Sequence, residues 1–234
     1  MDLSSRRYTL AGLGFLYLLI LYASYRALFV LGPLDPTLLR FEGDPMEHGY
    51  KIFFFSMQFG GLTYIAFLTT LIGSIGYLKT RDIKYDVIAS NSAKLALLFA
   101  SIVLVNGSIF SNLAWGAYWN WDPRQTTTLM LWFILAGYLA LRAAVDSEET
   151  RARLSAILGI FGFVTVPLTL FSTTVWTSNH PQLLARGAGQ GFSLDRAGLE
   201  VFMMMFLGAI FIYLYLLWLS VRVENLERRA KEAI

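Results

Sequence analysis

"WGAYWNWDPRQTTTLMLWFILAGYLAL", residues 115–141, changes character part-way along. Its first ten positions carry three tryptophans, a tyrosine, an aspartate and an arginine, and the remainder is nearly continuous hydrocarbon. Proline biases the residue before it away from helical angles and itself suits the first helical position. Asp122-Pro123 therefore reads as a helix start, with Asp122 as N-cap and Gln125 completing a capping-box pattern. The run from 123 approaches the roughly 20 apolar residues that a bilayer crossing requires. The aromatic stretch then sits at the mouth of a membrane helix. If it were itself helical, Trp115, Trp119 and Asp122 would share one face.

Working outward, six segments have this apolar character: 10–31, 52–78, 95–113, 123–141, 154–175 and 199–221. Of the 234 residues, 56% are hydrophobic and 15% charged, against roughly 45–50% and about 25% in soluble domains. Barrel strands would alternate over about ten residues, and these runs are too long and continuous for that. Segment 10–31 follows Arg6 and Arg7 as a signal peptide would, yet its apolar stretch is longer and no small-x-small cleavage site comes after it, so it reads as a helix. The expected fold class is all-α: a polytopic integral membrane protein, with six transmembrane helices forming one domain over 1–234. The absence of cysteine excludes disulfides, thiolate metal sites and thiol nucleophiles. No Gly-x-x-x-x-Gly-Lys run marks a nucleotide motor. A net charge of +3 without a basic stripe gives no reason to expect nucleic acid as a partner.

Six crossings put both termini on one side with loops 79–94 and 142–153, and this set holds 13 Lys and Arg residues. Loops 32–51, 114–126 and 176–198 hold 5, and Arg26 inside the first segment completes the 19. Cytoplasmic loops carry such an excess. Both termini, including the charged helix end at 222–234, are therefore expected in the cytoplasm. The aromatic stretch is expected on the external, periplasmic side of the cytoplasmic membrane.

Interfacial tryptophans alone would make a scattered belt. Here three of the six tryptophans fall within seven residues, and Trp176, in another external loop, precedes His180 by four. Flat aromatic faces beside a guanidinium suit a large planar apolar ligand bearing acidic groups. Haem fits that description, and Arg124 could meet a propionate bidentately.

The stretch resembles the tryptophan-rich WWD motif, W-G-x-x-W-x-W-D-x-R-x-T, of the haem-handling proteins of cytochrome c maturation. Trp115, Gly116, Trp119, Trp121, Asp122, Arg124 and Thr126 stand in register with it. Chain length and six segments point to the haem exporter protein C branch, since the synthetase members are larger. "GSIF" before the motif and "VPLTLFSTTVWTSNHPQ" after it fit as well. The resemblance implies haem b as cargo, held by this aromatic shelf and by Trp176. It also implies delivery to a membrane-anchored haem chaperone of the CcmE kind. An ATP-binding cassette complex of the CcmA and CcmB kind and a small CcmD-like subunit would assist. Binding and hand-over, not catalysis, is the expected role.

Only His48 and His180 are available as imidazole ligands of the iron. His180, in "WTSNHPQ", matches the second external histidine of the family. The first, in the pattern Y-R-I-x-x-x-H, corresponds to "YKIFFFS", so Ser56 occupies the ligand position. His48 lies eight residues earlier, about 12 Å along a continuous helix, and reaches the shelf only if the loop "EGDPMEHGY" folds back. Met57 adjoins the family position, and thioethers ligate haem in cytochromes. Three arrangements stay open: His180 with His48, His180 with Met57, or a site open on one side.

Two readings of other classes compete with the haem reading. One is a structural membrane subunit whose aromatic edge docks a partner without haem. The other is a transporter, against which the sequence shows no charge pair within the segments and no pair of half-helices broken at Pro or Gly.

Overall fold

The computed structural model describes residues 20–30, 46–180 and 196–232, together with Gly14 and Leu18. Every regular element among them is helical. Residues 20–25 are helical and run into a π-helical turn, Arg26–Val30. Next come α1 (Met46–Thr80), α2 (Ile83–Trp115), α3 (Pro123–Ala144), α4 (Glu148–Gly162), α5 (Thr165–Val175) and α6 (Arg196–Glu232). Five stretches are long and apolar enough to cross a membrane: Phe55–Thr80, Ile83–Trp115, Pro123–Ala144, Glu148–Val175 and Arg196–Lys231. They correspond to the last five segments of the sequence. Of segment 10–31, residues 10–13, 15–17, 19 and 31 lie outside the described residues.

Several expectations change. The loop expected at 79–94 shrinks to Arg81 and Asp82, because α2 begins at Ile83. Asp82 caps it, accepting from the Lys84 N–H at 3.0 Å. The first turns of α2 bury Asp86, Ser90, Asn91 and Ser92. Hydropathy reads these as loop because it cannot separate polar groups facing water from polar groups facing protein. The loop expected at 142–153 likewise contracts to 145–147.

The expected absence of a broken helix is corrected in part. A charge pair, Arg142 of α3 with Asp86 of α2, lies outside the apolar segments 123–141 and 95–113. The span Glu148–Val175 breaks between α4 and α5 at Phe163 and Val164, although no second broken span joins it among the described residues. Pro167 has no N–H to give the Phe163 carbonyl and would clash with it in a straight helix. The Val166 N–H takes that carbonyl instead, at 2.9 Å.

Lipid tails are as apolar as leucine, so helix association inside a membrane relies on close packing and hydrogen bonds. Both are visible here. At Gly73, a Cβ would stand 2.9 Å from the Tyr85 carbonyl oxygen, so α1 and α2 approach to backbone contact. Ser92 donates to the Ala66 carbonyl at 2.6 Å and meets the Tyr213 hydroxyl at 2.8 Å, tying α2 to α1 and α6. Leu62, Phe67, Phe99, Leu131, Leu135 and Val166 fill the shared core. The chain reversals leave 116–122 and 176–180 together at one end of the bundle, above this core.

Candidate functional site

The site begins where α2 stops. Gly116 takes a left-handed φ of +73°, and its N–H returns to the Asn112 carbonyl at 2.9 Å, closing the helix. The chain then runs without regular structure to Asp122, so Trp115, Trp119 and Asp122 do not share a helical face. Ser111 pins this stretch by donating to the Ala117 carbonyl at 2.7 Å. Trp121 has a φ of +58°, a region costly for a non-glycine residue and frequent at binding sites.

Asp122 caps α3 as expected, accepting from the Arg124 N–H at 2.9 Å. The capping box does not close in the expected way. Gln125 accepts from the Asn120 N–H at 3.3 Å, while Asn120 accepts from the Asp122 N–H at 3.2 Å. The threonines after it bond to backbone: Thr126 to Trp121 O, Thr127 to Pro123 O and Thr128 to Arg124 O.

The other face of Asp122 holds the second loop. The Ser178 hydroxyl reaches its Oδ1 and Oδ2 at 3.0 and 2.8 Å, and the Asn179 N–H donates to Oδ2 at 2.8 Å. His180 Nδ1 lies 2.8 Å from Oδ1. The His180 ring also packs on Trp115, with centroids 4.6 Å apart at 63°, and Trp115 meets Phe110 edge-on. Burial alone would raise the Asp122 carboxyl. The hydrogen bond and charge of His180, with Ser178 and Asn179, outweigh it and hold the group well below the usual carboxylate range. Burial pushes His180 below its ordinary value, more than Asp122 raises it. An ionised Asp122 beside a neutral His180 is the state these shifts favour near neutral pH.

Beneath the loops a cavity opens into the bundle. Trp115, Trp119, Arg124 and His180 line it, and Ser56 and Met57 of α1 line it too. Its deeper wall includes Tyr64, Gly107 and Phe206. Arg124 has no ion pair or side-chain hydrogen bond among the described residues. The Gln125 Nε2, also at the cavity, is buried without a partner among the described residues.

The structure therefore divides the aromatic edge into two sets. Trp115 and Trp119 face the cavity. Trp121 and Trp176 do not line it, and they are 71% and 49% exposed. Trp119 and Trp121 meet edge to face at 5.7 Å. Gly116 serves the turn, and Asp122 acts behind His180 without lining the cavity itself. His48 lies in the first turn of α1, so residues 46–50 continue the helix, while the rest of the loop 42–50 lies outside the described residues. Ser178 was not singled out from sequence, although "TSNH" places a hydroxyl two residues before the histidine it supports.

The family profile described as "Heme exporter protein C" matches residues 13–234. The chain belongs to that family. The similarity includes a Heme exporter protein C of Bradyrhizobium diazoefficiens, 31% identical over 181 residues, covering 77% of this chain and 68% of that protein. A namesake from Paracoccus denitrificans is 28% identical, covering 76% and 74%. The cytochrome c biogenesis protein CcsA of Parasynechococcus marenigrum is 28% identical over a shorter 148 residues. Membership makes the chain a multi-pass membrane protein of a haem-handling biogenesis family, not of an enzyme family.

Proposed function

We propose that this chain binds haem b at the external face of the cytoplasmic membrane and presents it to a membrane-anchored haem chaperone. The observation that carries this is the cavity wall. It brings a histidine from one stretch of chain, and two inward tryptophans and an arginine without an ion pair among the described residues from another, around one opening. His180 supplies an iron ligand, Trp115 and Trp119 supply apolar faces, and Arg124 with the Gln125 amide supplies donors for propionates.

Met57 is the favoured ligand on the other side. It shares the cavity wall with His180, whereas α1 carries His48 about 13 Å further along its axis, nine residues at 1.5 Å each. Ser56, at the family's histidine position, offers only a neutral hydroxyl. The Lys and Arg asymmetry supports an external site and cytoplasmic termini.

A specific observation also favours the docking reading, as a companion to the haem reading. Trp121, Trp176 and Tyr118 are large, exposed and at the same end. We assign them to the acceptor, with the ATP-binding cassette complex and small subunit engaging elsewhere. Optical spectra of the detergent-purified chain after haem addition test the reading. A retained Soret band, with a thioether-ligated signature lost in Met57→Ala, is expected. Failure of the wild-type chain to retain haem removes the haem reading and leaves docking alone.

A further inference from the structure

The cap of α3 and the imidazole of the second loop share one carboxylate, and this has a chemical consequence. An ionised carboxylate only accepts hydrogen bonds. Asp122 receives the Arg124 and Asn179 N–H groups, the Ser178 hydroxyl and the His180 ring. The ring nitrogen facing Oδ1, Nδ1, must therefore carry the hydrogen. A neutral imidazole has one N–H, so Nε2 is left with its lone pair. Among the described residues nothing hydrogen-bonds to Nε2. Trp115 packs on the ring at 4.6 Å and His180 N–H donates to Ser178 Oγ at 3.1 Å, so neither ring nor backbone is free to turn.

We propose that Asp122 is the positioning residue of the site. It fixes His180 as the Nδ1–H tautomer, aims the Nε2 lone pair at the cavity and strengthens it as an iron donor. A carboxylate behind a ligating histidine raises the basicity of the ligand. The aspartate of the tryptophan-rich motif thus acts through the histidine of another loop, not on the cargo. The inference rests on the haem reading only for its second half.

The first half is tested without haem. The full-length chain carrying His48→Gln keeps a single imidazole, which is labelled with ¹⁵N and observed by NMR in detergent at pH 8. Nδ1 is expected with a pyrrole-type shift and Nε2 with a pyridine-type shift. In Asp122→Ala the signal moves toward the Nε2–H form that an unconstrained histidine prefers. An Nε2–H ring in the Asp122 background overturns the proposal even if the alanine variant does not fold. So does an unchanged spectrum in a folded Asp122→Ala.

The second half is read as a midpoint potential. Haem-loaded Asp122→Asn is expected to keep its haem and to show a higher potential than wild type, because the charge behind the ligand is gone. An equal or lower potential overturns the donor-strengthening role. If no form retains haem while the tautomer is as expected, the haem reading fails and the orientation of His180 by Asp122 stands.

Discussion

Arg142 grips Asp86 with both prongs of its guanidinium, at 2.6 and 2.9 Å, with the carboxylate side chain 2% exposed. The pair joins α3 to the start of α2 at the end of the bundle opposite the candidate site. Removing one member leaves the other charge buried. Asp86→Ala should therefore cost about 3–5 kcal/mol. The paired replacement Asp86→Leu with Arg142→Met should recover most of it. Thermal unfolding in detergent separates the two cases, and an unchanged midpoint in Asp86→Ala would show that the pair contributes nothing.

Close approach of α1 and α2 makes a second prediction. At Gly73 the obstructing atom is a backbone oxygen, which cannot move aside as a side chain can. Gly73→Val should cost about 1–3 kcal/mol, as overpacking typically does. Gly107 meets nothing within 4 Å where a Cβ would stand, so Gly107→Ala serves as the tolerated control in the same assay.

The ring contact between Trp115 and His180 gives an optical readout of protonation. His180 in the folded chain titrates below the ordinary value of about 6.5. The folded ring thus accepts its proton later than the unfolded one, and stability declines as pH falls below about 6.5. Asp122 shifts down from about 3.9, so its contribution is complete above that value and is lost only as pH falls through its lower folded value. A protonated imidazole quenches an indole against it. The emission difference between wild type and Trp115→Phe should fall only below about pH 6.5, whereas a transition at or above that pH contradicts the burial of His180.

The two sets of tryptophans should part company on mutation. Trp119→Ala should weaken haem retention, while Trp121→Ala should leave the Soret band in place and reduce capture of the haem chaperone. Spectra and pull-down on the same preparations check this. Loss of haem in Trp121→Ala with none in Trp119→Ala would reverse the assignment.

Much of this was legible in the sequence. Asp122-Pro123 fixes a helix start from local sterics, and five apolar runs announce their helices through length alone. What escaped was polar and long-range. Asp86 and Asn91 looked like loop because their partners, Arg142 and Glu224, come from distant segments. The break at Phe163 hung on Pro167, which an apolar run disguises. At the site, motif spacing found Trp115, Arg124 and His180, yet it could not divide inward from outward tryptophans. That division comes from the positive φ of Trp121 and the turn at Gly116, which no pattern of residue types displays.

The central claim is that the cavity holds haem through His180. It is tested most directly by haem titration of purified His180→Gly with and without added imidazole. The account predicts a Soret band in wild type, its loss in His180→Gly, and its return when imidazole refills the vacated space beside Asp122 and Trp115. Equal haem retention by wild type and His180→Gly without imidazole would contradict it.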